Sequence, residues 1–249
     1  MKHIVPALLA LGIVAAALPA AAAEWNIDFE AAMVSAISND VSIPSETGTR
    51  FSLTDDLGTD EDVAFRVRLG VRLGRRHHVS ALYAPLTLYG GGAADFPITF
   101  NDVTFAAGEH LSSTYRFNSY RATWRYDLAR NERVTFGLGL TGKVRDAEIA
   151  LAGDTAATSY DNVGFVPLLH LRLHWKLSGK VGLLLEADAA AAPGGQGRAE
   201  DVLAAVDLHP WRSGSLRLGY RFLEGGADVE DVYNFAFIQY WVFGWSQRF

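Results

Sequence analysis

Through most of the chain apolar residues recur at every second position, the period of a strand with one apolar and one polar face. Val63, Phe65, Val67, Leu69, Val71 and Leu73 alternate with Ala64, Arg66, Arg68, Gly70 and Arg72. Val163, Phe165, Pro167, Leu169, Leu171, Leu173, Trp175 and Leu177 are interleaved with His170, Arg172, His174 and Lys176. Val134 to Leu140 and Leu216 to Phe222 repeat the pattern, and after Glu24 no apolar stripe at helical spacing recurs. The chain is therefore predicted to be all-β.

Turn-forming clusters divide these runs into ten predicted strands, near 26–38, 63–74, 78–89, 112–128, 134–149, 162–177, 181–192, 200–209, 215–223 and 232–249. Tight connections at Arg75-Arg76, Ala129 to Arg133, Ser178 to Lys180 and Pro210 to Gly214 alternate with longer ones. The longer ones are Asn39 to Asp62, Gly90 to His110, Leu151 to Tyr160, Pro193 to Arg198 and Glu224 to Asp231. This alternation predicts a closed antiparallel transmembrane β-barrel of about ten strands, with eight or twelve as the neighbouring alternatives. Closure is what hydrocarbon demands, because there every backbone amide needs a protein partner. A soluble sandwich alternates in the same way, so the two ends of the chain must separate the readings.

At the N-terminus, Met1-Lys2-His3 is a short basic head, Ile4 to Leu18 is an almost unbroken apolar run, and Pro19 precedes the small residues Ala20 to Ala23. This pattern predicts a secretory signal peptide over residues 1–23 and a barrel domain over 24–249. The apolar run is 15 residues long, short of the roughly 20 that a spanning helix needs.

The last strand, Val232 to Phe249, places Phe235, Phe237, Trp241, Phe243, Trp245 and Phe249 on one parity, with Gln239 and Gln247 as polar exceptions. It resembles the C-terminal assembly signal of bacterial outer-membrane β-barrel proteins, which end in an aromatic residue, usually Phe, after alternating apolar ones. The resemblance implies export to the outer membrane of a Gram-negative cell and contact with outer-membrane lipid and lipopolysaccharide. It also implies that Trp241, Phe243, Trp245 and Phe249 are read by the barrel-assembly machinery.

With 22 Lys and Arg against 28 Asp and Glu, a net charge of −6 leaves no basic footprint for nucleic acid. The two signs are expected in different places. By strand parity Arg66, Arg68, Arg72, Arg121, Arg125, Lys143, Arg145, Arg172, Lys176, Arg217 and Arg221 point into the barrel, against Asp127, Glu186, Asp188, Asp201 and Asp207. A basic lumen follows. In a barrel barely wider than its side chains, such charges either pair and plug the lumen or line a narrow anion path. The first long connection gathers Asp40, Glu46, Asp55, Asp56, Asp60, Glu61 and Asp62 beside Arg50, a spacing that matches no EF-hand and predicts a solvated loop. Phe96 to Phe105 predicts a hairpin turning at Asn101-Asp102. Tyr83, Tyr89, Tyr115, Trp124, Tyr126, Trp175, Tyr220, Trp241 and Trp245 are predicted for the interfacial girdles.

The sequence contains no cysteine, which excludes disulfides, thiolate metal sites and a cysteine nucleophile. Asp207-Leu208-His209 resembles the Asp-x-His pair of the omptin proteases, whose site lies at the extracellular rim. Here the pair is predicted at the opposite end, beside the Pro210 to Gly214 turn. His170 and His174 share a face but stand about 13 Å apart along a strand, too far for one ion with ligands at about 2 Å. No catalytic residue, metal or cofactor is assigned. The expected function is a non-enzymatic, integral outer-membrane barrel, either structural and ligand-contacting or a narrow, porin-like solute channel. The alternative is an outer-membrane hydrolase acting on lipid or peptide at the cell surface. The oligomeric state is not encoded in these patterns.

Overall fold

The computed structural model describes residues 23–192 and 196–249. The predicted signal peptide up to residue 22, and residues 193–195 of the fourth long connection, lie outside the described residues. The strands run in chain order as β1 (Ala23–Ser42), β2 (Phe51–Ser52), β3 (Asp62–Leu73), β4 (His77–Ala84), β5 (Thr87–Gly92), β6 (Ile98–Phe100) and β7 (Val103–Phe105). They continue as β8 (Leu111–Arg130), β9 (Val134–Ala152), β10 (Ala157–Lys176), β11 (Val181–Ala191), β12 (Gly197–Trp211), β13 (Gly214–Val229) and β14 (Val232–Arg248). β1, β3, the β4–β5 pair and β8 to β14 form ten antiparallel staves, and β14 pairs with β1 to close the barrel. Each stave corresponds to one of the ten predicted strands, four of which run one residue past the observed C-terminal end. The fourth stave is broken at Pro85, which has no amide hydrogen for a ladder; β4 and β5 pair with β8 on either side of it.

Two predicted long connections are mostly strand. β9 and β10 stay paired up to Ala152 opposite Ala157, and β13 and β14 up to Val229 opposite Val232. A tilted strand crosses a bilayer in about 9–11 residues, whereas β8 and β10 have 20 each and β9 has 19. The excess projects beyond the apolar belt and is polar on its outer face, where Arg116 pairs with Asp146 at 3.0 Å and with Glu148 at 2.9 Å. Polar composition made these wet strand ends read as loop.

The outward face forms an apolar belt. Met33, Leu140, Phe165, Leu169, Trp241 and Phe243 are 51–70% exposed. So continuous an apolar surface suits hydrocarbon rather than water. Gln239 interrupts it without leaving a bare amide: its Nε2 donates to Ser35 Oγ at 2.8 Å and its Oε1 accepts from the Tyr220 hydroxyl at 3.2 Å. Tyr115 departs from its predicted place in a girdle. It points inward and is buried in the core at the long-loop end.

That core corrects a second expectation. The acidic first connection is not simply a solvated loop, because Ile43, Phe51, Leu53 and Leu57 turn into the barrel mouth. Ile98, Phe100 and Phe105 of the β6–β7 hairpin join them over the inward-facing Val41, Leu88, Leu111, Ile149 and Leu151. The hairpin turns where its sequence predicts. Asn101 and Asp102 have φ of 46° and 65°, the left-handed pair a two-residue type I′ turn requires.

Candidate functional site in the barrel interior

Charged side chains are interspersed with small ones on the inner faces, and where arginines from one wall meet carboxylates from the other they form a layer across the barrel. Arg221 lies at its centre, donating to Asp201 at 2.5 Å and to Glu30 at 2.8 Å. Arg217 reaches Glu30 at 3.1 Å and Asp207 at 2.9 Å, while Arg66 reaches Asp201 at 3.1 Å. Arg121 bridges Asp188 at 2.8 Å and Asp201 at 2.6 Å. Asp188 also accepts the Thr141 hydroxyl at 2.9 Å and lies 2.8 Å from His170 Nδ1. Glu186 joins Arg68 at 2.5 Å and Arg172. The layer thus ties together β1, β3 and β8 to β13. An unpaired buried charge is strongly destabilising, so a ring of shared carboxylates is what makes so many arginines tolerable inside.

The remaining predicted lumen residues separate by height. Arg125 pairs with Asp127 at 3.0 Å, and Arg72 with Glu24, towards the tight-turn end. There a polar vestibule of about 210 Å³ is lined by Asp28, His78 and these groups. Lys143, the cross-strand neighbour of Arg121, borders the layer on its long-loop side without an ion pair among the described residues, and Arg145 lies one inward position further along β9. Lys176 is not in the lumen. The last residue of β10, it emerges exposed at the tight-turn rim.

Two inward carboxylates were missed by sequence reasoning, Asp28 and Glu30, both buried. Their signal was present in the alternation Asp28-Phe29-Glu30, with Phe29 pointing outward. Glu30 binds two arginines and approaches a third, so the interior is less basic than predicted. Also missed was the approach of His174, Asp207 and His209, whose ligand-type atoms lie within 4.8 Å of one another. They come from strands two apart in the wall, β10 and β12, a proximity no sequence spacing reveals. His170 is not among them. These three, at the tight-turn end, are the groups with metal-ligand chemistry and spacing among the described residues.

Above the charged layer, a cavity of about 430 Å³ opens among Tyr115, Phe117, Leu223 and Ala236, with Lys143 and Arg145 in its wall. The apolar cap of Ile43, Phe51, Leu53, Ile98, Phe100 and Phe105 fills the mouth. Charged layer and cap therefore lie in series along the barrel axis.

No protein-family model matches the chain, and no curated protein matches it. Among solved structures, the outer membrane protease OmpT from Escherichia coli is similar with a TM-score of 0.57 at 8% identity, over 91% of this chain and 97% of that one. Ail, the attachment invasion locus protein of Yersinia pestis, is similar with a TM-score of 0.41 at 11% identity, over 92% and 99%. Neisserial surface protein A gives 0.37 at 14% identity, over 90% and 97%. At such identities the likeness concerns the fold, which is that of the bacterial outer-membrane β-barrels.

Proposed function

We propose that this chain is an exported, integral outer-membrane barrel that neither catalyses a reaction nor conducts solutes, and that meets its ligands at the long-loop, outward end. The observation that carries the reading is the ion-pair layer centred on Arg221, Glu30 and Asp201, lying in series with an apolar cap. A path for ions through it would require breaking buried pairs and lifting a packed core at once. The apolar belt supports residence in a bilayer. Against a hydrolase of omptin type, Asp207 and His209 stand at the tight-turn end, and Asp207 is engaged by Arg217 at 2.9 Å.

The experiment joins residence to activity. The protein is expected in the outer-membrane fraction after alkaline carbonate washing, with a gel band that shifts on heating. Replacing Asp207 and His209 with Ala is expected to change no peptide or lipid hydrolysis. Recovery in the soluble fraction without detergent overturns the membrane reading, and turnover abolished by the double replacement overturns the non-enzymatic one.

A further inference from the structure

Among the described residues, the barrel wall has a gap beside the cavity. β10 is paired with β9 along Ala157 to Trp175, but with β11 only from Leu169, opposite Ala189, down to Lys176. β11 ends at Ala191, paired there with Arg198 of β12 as it is with β12 along its whole length. Among the described residues, no strand pairs with the other edge of β10 above Leu169. Pro167, two residues above that last pair, has no amide hydrogen, which suits an open edge. At the top, the hairpin tip closes the gap, where the Asn101 side-chain amide donates to the Ser159 carbonyl at 2.9 Å. What remains is a notch with Phe165, Val166 and Pro167 on one lip and Ala190, Ala191 and Ala192 on the other.

The notch opens within the apolar belt, since Val163, Phe165 and Leu169 on its outer side are each at least 66% exposed. Unpaired backbone at that depth is tolerated only where it is buried in protein or lines a water-filled cavity. Behind it lies the 430 Å³ cavity, within the roughly 300–1,000 Å³ of small-molecule sites. Its chemistry is amphipathic. Tyr115, Phe117, Leu223 and Ala236 supply apolar wall, and Lys143 and Arg145 supply two cations.

Neither cation makes an ion pair among the described residues. Lys143 is 4% exposed and holds its Nζ 4.6 Å from the centre of the Phe117 ring. Arg145 donates to Asn162 Oδ1 at 2.5 Å while its Nε is buried without a partner. Gly164 makes room for it, since a Cβ there would lie 3.3 Å from Arg145 Nη2. The carboxylate in the cavity wall, Glu224, is taken by Arg198 at 2.5 Å. The buried arginines nearby share carboxylates, so a buried ammonium and a half-buried guanidinium left over beside an apolar slot point to an anion with a tail.

We propose that the cavity binds a long-chain fatty acid, its carboxylate on Lys143 and Arg145 and its acyl chain leaving sideways between β10 and β11 into the outer leaflet. The proposal rests on the barrel being a membrane protein.

The test uses the full barrel in a non-ionic detergent, with fluorescently labelled hexadecanoate as the probe, the matching labelled hexadecanol as its neutral control, and acetate as a headgroup-only competitor. The acid is expected to bind saturably, and the alcohol at least about tenfold more weakly, the fold-change of one lost charge-assisted hydrogen bond. Lys143→Met is expected to weaken acid binding by a similar factor and Lys143→Arg to restore it to within about threefold. Acetate is expected not to compete at millimolar concentration. Equal binding of acid and alcohol, unaltered affinity in a heat-modifiable Lys143→Met barrel, or no saturable binding overturns the proposal. Should Lys143→Met not fold, the acid-to-alcohol ratio and Lys143→Arg still decide. Absent binding in a barrel that keeps its carbonate resistance and heat shift sinks this proposal alone; loss of those properties sinks the membrane reading.

Discussion

Arg221 is 2% exposed and its guanidinium spans Asp201 and Glu30. Removing it leaves two carboxylates short of a partner in a dry interior, where breaking one side of a buried pair costs about 3–5 kcal/mol. Arg221→Met is expected to lower unfolding stability in micelles by that amount, read from the urea midpoint. Lys176→Met, at the exposed rim, is expected to stay within about 0.5 kcal/mol. A loss under about 1 kcal/mol for Arg221→Met would mean that the layer is not what holds the interior together. Much of this layer was legible in the sequence, because Arg66, Arg68, Arg217 and Arg221 sit on clean period-two strands whose parity assigns them inward. Pairing was not legible. Which arginine meets which carboxylate depends on strands far apart in the chain, Arg221 and Glu30 being 191 residues apart. Height was not legible either, which is why Lys176 shares the inward parity yet ends in solvent.

At the scale of the element, β10 carries the consequence that sequence could not show. Its alternation marks a strand as regular as any in the chain, and only the length of its pairing with β11 exposes the open edge. In an antiparallel ladder, alternate residues direct their amides to opposite neighbours. About every second non-proline amide from Tyr160 to Leu168 is therefore expected to exchange with deuterium markedly faster than those from Leu169 to Lys176. Uniform protection along β10 would show that the notch is closed. The β6–β7 hairpin was readable because Asn101-Asp102 is a local turn signal. Its burial was not, because nothing in Ile98-Thr99-Phe100 tells whether those side chains face water, lipid or the barrel mouth. The bulge between Ala36 and Ser38 shifts the parity of β1, so that Asn39 and Val41 turn inward, a reversal that simple alternation misses.

At the scale of the whole molecule, a net charge of −6 hides an arrangement in layers. A polar vestibule, a ring of buried ion pairs, an amphipathic chamber with two cations that make no ion pair among the described residues, and a cap of folded-in loops follow one another along the axis. Ten staves leave an interior only slightly wider than side chains can fill, so this stack is the natural way to close the bore. The same barrel width would suit a narrow anion path if the pairs were loose and the loops stood away from the mouth. Recording current across a planar lipid bilayer containing the purified barrel separates the two most directly. No conductance steps above the bare-bilayer background are expected in concentrated potassium chloride; reproducible, anion-selective steps would contradict a closed lumen.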